Sequence, residues 1–427
     1  MGTVPIFERR NFILENQEII FNSELAQEAL DFTKEVTEAF PGRITGSDSC
    51  FKAAERIKEE LGKHCDPGTV KMEEFICHPQ AFLKYIPGLV VLYLASSLLL
   101  FFHLPLWAFI GFALGNFVFY GQFVRYYEIL DPLFPKRKGY NVWGTIEPAQ
   151  KPREQIIVSA HHDAAYVFQL LARFPRLYSL MILAGIGFLF LGLVISLIAL
   201  ILTLSGIAFP QWPSILLLVG LLPVLPFLFF TTNQVSPAAG DNMIAVAIML
   251  QLAKVFSEAK RRGNPLSNTR LLFVSFDAEE AGLRGARAFI KAHREELQAI
   301  PTRVLNIDTV YQLKHLNFFA RDLNTFVPLS RELAEECASI ARSLGYADKV
   351  SGMSFGGGST DAAAFGEKGI EATNICAMSF NINDYKEGFV YHTSRDTVEH
   401  IEPQVVEAII KIIGAFILKR DRGDQGS

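Results

Sequence analysis

The apolar positions of the chain follow two rhythms. Across 24–40, 52–62, 282–293 and 403–418 they recur every three to four residues, the spacing that turns one helix face toward a core. A further helix is predicted to start after Asp241-Asn242 and to end near Lys260. Short runs at 70–76, 140–146, 155–160, 270–276 and 304–307 are rich in branched and aromatic residues, which predicts strands. Strands alternating with helices predict an α/β fold, a mixed and mostly parallel sheet sandwiched by helices.

Two stretches obey neither rhythm. Residues 86–122 contain no Asp, Glu, Lys or Arg, and neither do 177–240. The first is interrupted at His103-Leu104-Pro105 and the second between Ser205-Gly206 and Pro213, so each predicts a hairpin of two transmembrane helices. The spans fall near 86–103, 105–122, 177–204 and 213–231. Crossing the hydrocarbon takes about 20 apolar residues, so the first pair is short, while 177–204 is long enough to tilt. Pro223 and Pro226 are expected to kink the last span. The competing reading of 86–122 is a helical hairpin buried in a soluble core.

A hairpin returns the chain to the side it left, so residues 1–85, 123–176 and 232–427 are expected to form one discontinuous body. Residues 86–122 and 177–231 are then the two insertions. Lys84, Arg125, Lys136, Arg137, Lys138, Arg173 and Arg176 flank the body-side ends, and the hairpin tips carry no cation. The positive-inside rule therefore predicts a multi-pass membrane protein with a cytoplasmic body.

Composition fits that picture: 50% of the residues are apolar, 20% are charged and 36 are Phe. A net charge of −4 without a Lys/Arg-rich block argues against a nucleic-acid partner and leaves the lipid bilayer as the expected one. The five cysteines are scattered and form no CxxC, which speaks against a disulfide framework and a thiolate zinc site and suits a reducing compartment. Glu8, Arg9 and Arg10 stand where a secretory signal would need its apolar core, so insertion is expected from internal segments. The tail 421–427 is expected to fray.

Chemistry-bearing residues gather at the ends of the predicted strands. The run 156–160 ends in His161-His162-Asp163, where one imidazole could bind a metal and the carboxylate two residues on could hold it. The run 271–276 leads into Asp277-Ala278-Glu279-Glu280, two adjacent carboxylates that each need compensation, such as a metal for one and proton transfer for the other. Asp241-Asn242, Asp308 and His392 complete the set. Each also has a plain reading: a strand-end histidine pair, a solvated acidic turn, a helix cap, a turn residue and a surface histidine. His162, His315 and His400 are read as plain histidines.

The order His-x-Asp, Asp-Asn, Glu-Glu before Ala281-Gly282-Leu283-Arg284-Gly285, Asn306-Ile307-Asp308 and Tyr391-His392-Thr393 resembles the M28 family of zinc aminopeptidases. The likeness extends to Gly42-Arg43-Ile44-Thr45-Gly46-Ser47 and to Asn141-Val142-Trp143-Gly144-Thr145-Ile146, and so covers nearly all of the chain outside the insertions. It implies a zinc exopeptidase-like fold and two Zn2+ ions. His161 and Asp308 would hold one ion and Glu280 and His392 the other, with Asp241 bridging, Glu279 as general base and Asp163 orienting His161.

The stretch 354–361 resembles the family's Ser-Asp-His loop beside the substrate, with Ala362 where His is common, a departure that bears on substrate preference. Gly358, Asp361 and Tyr391 are accordingly the expected substrate-binding residues. The resemblance implies hydrolysis of N-terminal residues from peptides, with the catalytic mouth near the bilayer because Asp163 and Asp241 bracket the second insertion. Alternatives are a carboxypeptidase or an amidohydrolase for lipid-linked amides, a glutaminyl cyclase, which the intact His161 argues against, and a non-catalytic receptor of the same fold. Arg284 and Arg395 are the candidate carboxylate-gripping cations of the carboxypeptidase reading.

Overall fold

The structure, a computed structural model, describes residues 21–353, 358–379, 381, 384 and 388–423. The expectations for the N-terminal segment, for 354–357 of the substrate loop and for the last four residues of the tail lie outside the described residues.

Eleven strands are described: β1 (Lys71–Cys77), β2 (Arg137–Ile146), β3 (Glu154–His161), β4 (Tyr166–Phe168), β5 (Thr231–Val235), β6 (Thr269–Phe276), β7 (Thr302–Val310), β8 (Leu316–Asp322), β9 (Val327–Pro328), β10 (Lys349–Met353) and β11 (Glu371–Ala377). Nine of them form the main sheet in the order β1-β2-β6-β3-β7-β11-β8-β10, with β9 on β8. The centre, β6-β3-β7-β11, is uniformly parallel, and β10 pairs parallel with β8. β1, β2 and β6 pair antiparallel, as do β8 and β11, so the sheet is mixed, as expected, with antiparallel pairings on either side of its centre. Connection length is the reason. The link from β7 to β8 spans only 311–315, too short for the crossover that parallel strands need. Between β1 and β2 the inserted hairpin returns the chain to where it left, so the two strands pair as a hairpin would.

Helices cover both faces. Ser23–Ala39 starts where the Asn22 side chain accepts from the Leu25 amide, and Asp48–His64 where Ser47 accepts from the Cys50 amide. The latter begins four residues before the apolar rhythm announces it, because a polar cap sets the start. Ile244–Arg261 is buried along most of its length between the sheet, the first two helices and the terminal helix Pro403–Asp421. The sequence reading passed over β8, β10, β11, Arg331–Ser343 and Asp361–Gly366, all from 316 onward, and the small ribbon β4–β5.

The two insertions fold together. Hairpin one is Ile86–Phe101 and Pro105–Val118, continued by a wide turn to Val124; hairpin two opens with the 30-residue helix Pro175–Leu204. The expected last span is more broken than kinked: Trp212–Val219, Leu221–Val224 and a tight turn to Phe229. Pro223 and Pro226 lack the amide hydrogens that a continuous ladder requires. Close approach rests on small residues, for a Cβ on Gly192 would meet the Phe112 ring at 2.3 Å. Tyr93 Oη donates to the Leu217 carbonyl at 2.8 Å and Asn116 Nδ2 to that of Leu189 at 3.0 Å, tying one hairpin to the other.

Among the described residues five helices are long and apolar enough to cross a membrane, not the four expected. The fifth, Ala239–Arg261, is 89% buried in its most apolar window, against 28–39% for the other four. Its apolar surface is spent on the body's core, whereas the insertions turn Leu106, Trp107, Phe117, Leu180 and Phe190 outward.

Candidate metal centre

β3, β6, β7 and β11 are parallel, so their carboxyl ends share one edge, where ligands of open α/β sheets gather. His161 closes β3, Glu279 and Glu280 follow β6, Asp308 lies at the end of β7, and His392 follows β11. Asp241 joins them from the turn just before Ile244–Arg261. His161, Asp241, Glu279, Asp308 and His392 are buried and Glu280 nearly so.

The contacts divide into two groups that share Asp241. Its Oδ1 lies 3.3 Å from His161 Nε2, and its Oδ2 lies 2.9 Å from His392 Nε2. On the His161 side, Asp308 Oδ1 is 3.7 Å and Glu279 Oε2 3.9 Å from the same nitrogen. On the His392 side, Glu280 Oε1 is 3.0 Å from Nε2.

Electrostatics make this crowd costly by itself. Burial, with Asp308 and Glu280 adding and His161 opposing, pushes the Glu279 carboxyl well above its ordinary range. Burial likewise holds Glu280 up at about 7, against the pull of His392. For His392 burial works downward, but Glu280 and Asp241 raise it to about 10. Buried like charges this close need a compensating cation.

The donor set fits a zinc centre. His161 Nε2 faces three carboxylates yet makes no well-formed hydrogen bond, and buried Asp241 Oδ2 is also without one among the described residues. One atom each of His161, Asp241 and Glu280 lie within 4.8 Å of one another, and imidazole and carboxylate are the ligands zinc accepts.

Supporting residues fix the geometry. Asp163 lies 3.3 Å from His161 Nδ1 and accepts the Glu279 and Glu280 amides at 3.1 and 3.2 Å. Asn242 donates to the Ile307 carbonyl at 2.8 Å and accepts the Thr309 amide at 3.3 Å, clamping the segment that carries Asp308. Two residues escaped the sequence reading in these roles. Asp396 accepts the Gly240 and Asp241 amides at 2.7 and 3.2 Å, and Arg43 ties the His162 carbonyl to those of Pro237 and Ala238 at 3.0, 2.9 and 3.0 Å. Arg43 stood in a quoted motif and Asp396 in none; neither residue type betrays a side chain working on backbone.

Ala238, Ala278, Thr309 and His392 hold left-handed backbone conformations, with φ of 54°, 60°, 64° and 51°. Each is one of the converging residues or lies within three positions of one, so the surrounding fold maintains local strain at this edge.

A second convergence, Cys50, His162 and Asp277, is held by hydrogen bonds, with His162 Nε2 buried and unpartnered among the described residues. Asp277 accepts from Thr45 Oγ1 at 2.7 Å, the Tyr140 amide at 2.9 Å and Cys50 Sγ at 3.4 Å, and His162 Nδ1 sits 2.8 Å from Ser275 Oγ. Burial pushes the Cys50 thiol well up and drops His162 to about 3, so the pair stays neutral and offers no thiolate. His162 is held by Ser275, and His400 contacts Thr397.

Glu279, Glu280 and His392 open onto a cavity of about 280 Å3. Gly358 and Tyr391 line it, Tyr391 stacked on the His392 ring at 3.9 Å. Asp361 is fully buried behind that wall with both carboxylate oxygens unpartnered among the described residues. Ser359, Met378 and Phe389 of the body also line it, and the insertions and their joints add Phe123 and Tyr126 after hairpin one, Tyr178, Ser179 and Ile182 from hairpin two, and Phe230. The β4–β5 ribbon explains this placement, since it carries the chain into and out of hairpin two while the Phe168 amide donates to the His392 carbonyl at 3.0 Å. No Lys or Arg lines the cavity among the described residues. Arg284 is buried on the Tyr126 carbonyl and Asp131, and Arg395 donates to the Phe389 carbonyl, so neither grips a ligand there.

Residues 227–417 match the model of peptidase family M28, a stretch that contains Asp241, Glu279, Glu280, Asp308 and His392. Comparison with curated protein sequences finds no match. In three dimensions the chain is similar to a zinc aminopeptidase from Bacillus subtilis, at 16% identity and a TM-score of 0.55 over 96% of this chain and 98% of that one. It is similar to a Zn-dependent exopeptidase from Parabacteroides distasonis at 15% identity and 0.53, over 94% and 99%. It is equally similar to a glutaminyl cyclase from an Acidobacteriales bacterium, at 16% and 0.55 over 96% and 99%. Likeness at these identities establishes a shared fold, and the fold by itself does not choose between hydrolysis and cyclisation.

Proposed function

We propose that the chain is a membrane-embedded M28-type exopeptidase that removes N-terminal residues from peptides with a pair of zinc ions. The observation that carries this reading is the division of five donor side chains into two groups around Asp241, each group containing one histidine. His161 and Asp308 would hold one ion, Glu280 and His392 the other, and Asp241 would bridge them. When bound, such a pair supplies Lewis acidity at the scissile carbonyl and lowers the pKa of water.

The chain's own residues then do the positioning and the proton work. Asp163 fixes the His161 ring and, through two backbone amides, the start of the Glu279-Glu280 turn. Glu279, at the cavity wall, takes the proton of the attacking water and returns it to the leaving amine nitrogen. The wall, acidic and without a cation among the described residues, suits a substrate with a free ammonium over the carboxypeptidase reading, which needs a guanidinium or ammonium to receive a carboxylate. The two hairpins cross the bilayer with the body on the cytoplasmic side, in keeping with their outward apolar faces and flanking cations.

Purified protein, assayed for zinc per chain and against matched peptides with free and acetylated N-termini, tests the proposal. Two zincs and cleavage of the free peptide only are expected; one zinc with cyclisation of N-terminal glutamine would replace it with the cyclase reading.

A further inference from the structure

The reaction cavity adjoins a second one in the bundle. Phe123, Ile182 and Phe230, which line it, also line this second cavity among the four apolar helices. Leu89, Val90, Ile186 and Leu189 form most of the deeper wall. From Ser179 in the reaction cavity to Leu189 at the far end, the helix Pro175–Leu204 advances about 15 Å. That is about half of the ~30 Å hydrocarbon thickness, the depth of one leaflet.

The wall offers little to a polar guest. Its hydroxyls are those of Tyr85 and Tyr93, and Tyr93 is committed to the Leu217 carbonyl at 2.8 Å. Tyr85 Oη is buried and unpartnered among the described residues, and Tyr85 directly precedes Ile86–Phe101 at the body-side end. An extended peptide would bring amides and carbonyls that this wall cannot satisfy. A single alkyl chain demands no partner, and the one free hydroxyl near the head of the cavity suits one acceptor, such as the linkage joining the chain to its polar part.

We infer that the preferred substrates are aminoacyl or peptidyl amides bearing one long alkyl chain, which passes Phe123, Ile182 and Phe230 into the bundle while the scissile amide lies at Glu279. This inference rests on the function proposed above and names its substrate class.

The test uses the full chain in micelles with two series of probes. Leucyl amides of straight-chain amines carry the chain on the leaving side; 2-aminoalkanoyl amides carry it on the N-terminal side. In at least one series kcat/KM should climb with chain length, by at most about fourfold per methylene, and then level off. Ile186→Trp and, independently, Leu89→Trp should flatten that climb without changing turnover of leucyl ethylamide. Ile198→Trp, on the outward face at 47% exposure, should leave the climb intact and so controls for micelle partitioning.

Hydrolysis of leucyl ethylamide with no chain-length dependence in either series, or a climb that survives both filling variants, overturns the inference and leaves the exopeptidase reading standing. Should the wild type fail to hydrolyse leucyl ethylamide, it is that reading which fails. Calorimetric binding of leucyl dodecylamide to Glu279→Gln then decides the alkyl cavity separately: affinity reduced by Ile186→Trp supports it, and equal affinity overturns it.

Discussion

Asp163 has two carboxylate oxygens and three structural duties, toward the His161 ring and the amides of Glu279 and Glu280. Replacing it with Asn keeps the size but turns one acceptor into a donor facing amide hydrogens. Zinc affinity is expected to fall roughly 10–100-fold, read by competition with a chromogenic chelator; unchanged affinity would leave Asp163 without the orienting role. Glu279→Gln separates the proton step from metal holding. It should lower kcat by roughly 10²–10⁴-fold while zinc per chain, measured by emission spectrometry, stays at the wild-type value. Loss of metal in this variant would mean that Glu279 is a ligand and not the base.

At the scale of elements, the Ala-Gly-Leu-x-Gly motif is a packing device. Gly282 takes φ +95° in the turn after Glu280, and a Cβ on Gly285 would stand 1.9 Å from the Asp277 carbonyl oxygen. The helix Arg284–Ala292 can therefore lie against the end of β6 only because position 285 has no side chain. Gly285→Ala should cost roughly 1–3 kcal/mol, seen as a lowered midpoint of thermal unfolding. Gly62, inside Asp48–His64 with nothing within 4 Å of its would-be Cβ, is the contrasting case. Gly62→Ala should stabilise by roughly 0.5–1 kcal/mol through helix propensity, and a destabilised Gly62→Ala protein would show that the helix interior is not free there.

For the whole molecule, the two insertions make one bundle whose core is separate from that of the body, and the reaction cavity opens between the two. If the bundle is embedded, the chain should stay with membranes through an alkaline carbonate wash and leave them only in detergent. Single cysteines placed at His103 and at Ala208, in a background without the native five, should react with a membrane-impermeant maleimide from outside intact cells. Reaction only after lysis would reverse the orientation drawn from the flanking cations.

The sequence alone sufficed for those parts whose causes are local. Helix faces and central strands follow from the period of apolar residues, and the turns at His103 and Ser205-Gly206 from breaks in long uncharged runs. The converging residues His161, Asp241, Glu279, Glu280, Asp308 and His392 were legible because each follows or precedes an element in a fixed motif. The strands from 316 onward, where the apolar rhythm is weak, were not. Other features depend on which distant segments meet, and only the tertiary structure decided them. The central helix Ala239–Arg261 is as apolar as a membrane span, yet it is buried because the sheet and three helices surround it. Arg43 and Asp396 act on backbone groups distant along the chain, which no local pattern encodes. The same holds for the cavity beside Glu279 and its neighbour in the bundle, since their walls come from segments that neighbour one another only after the chain has folded.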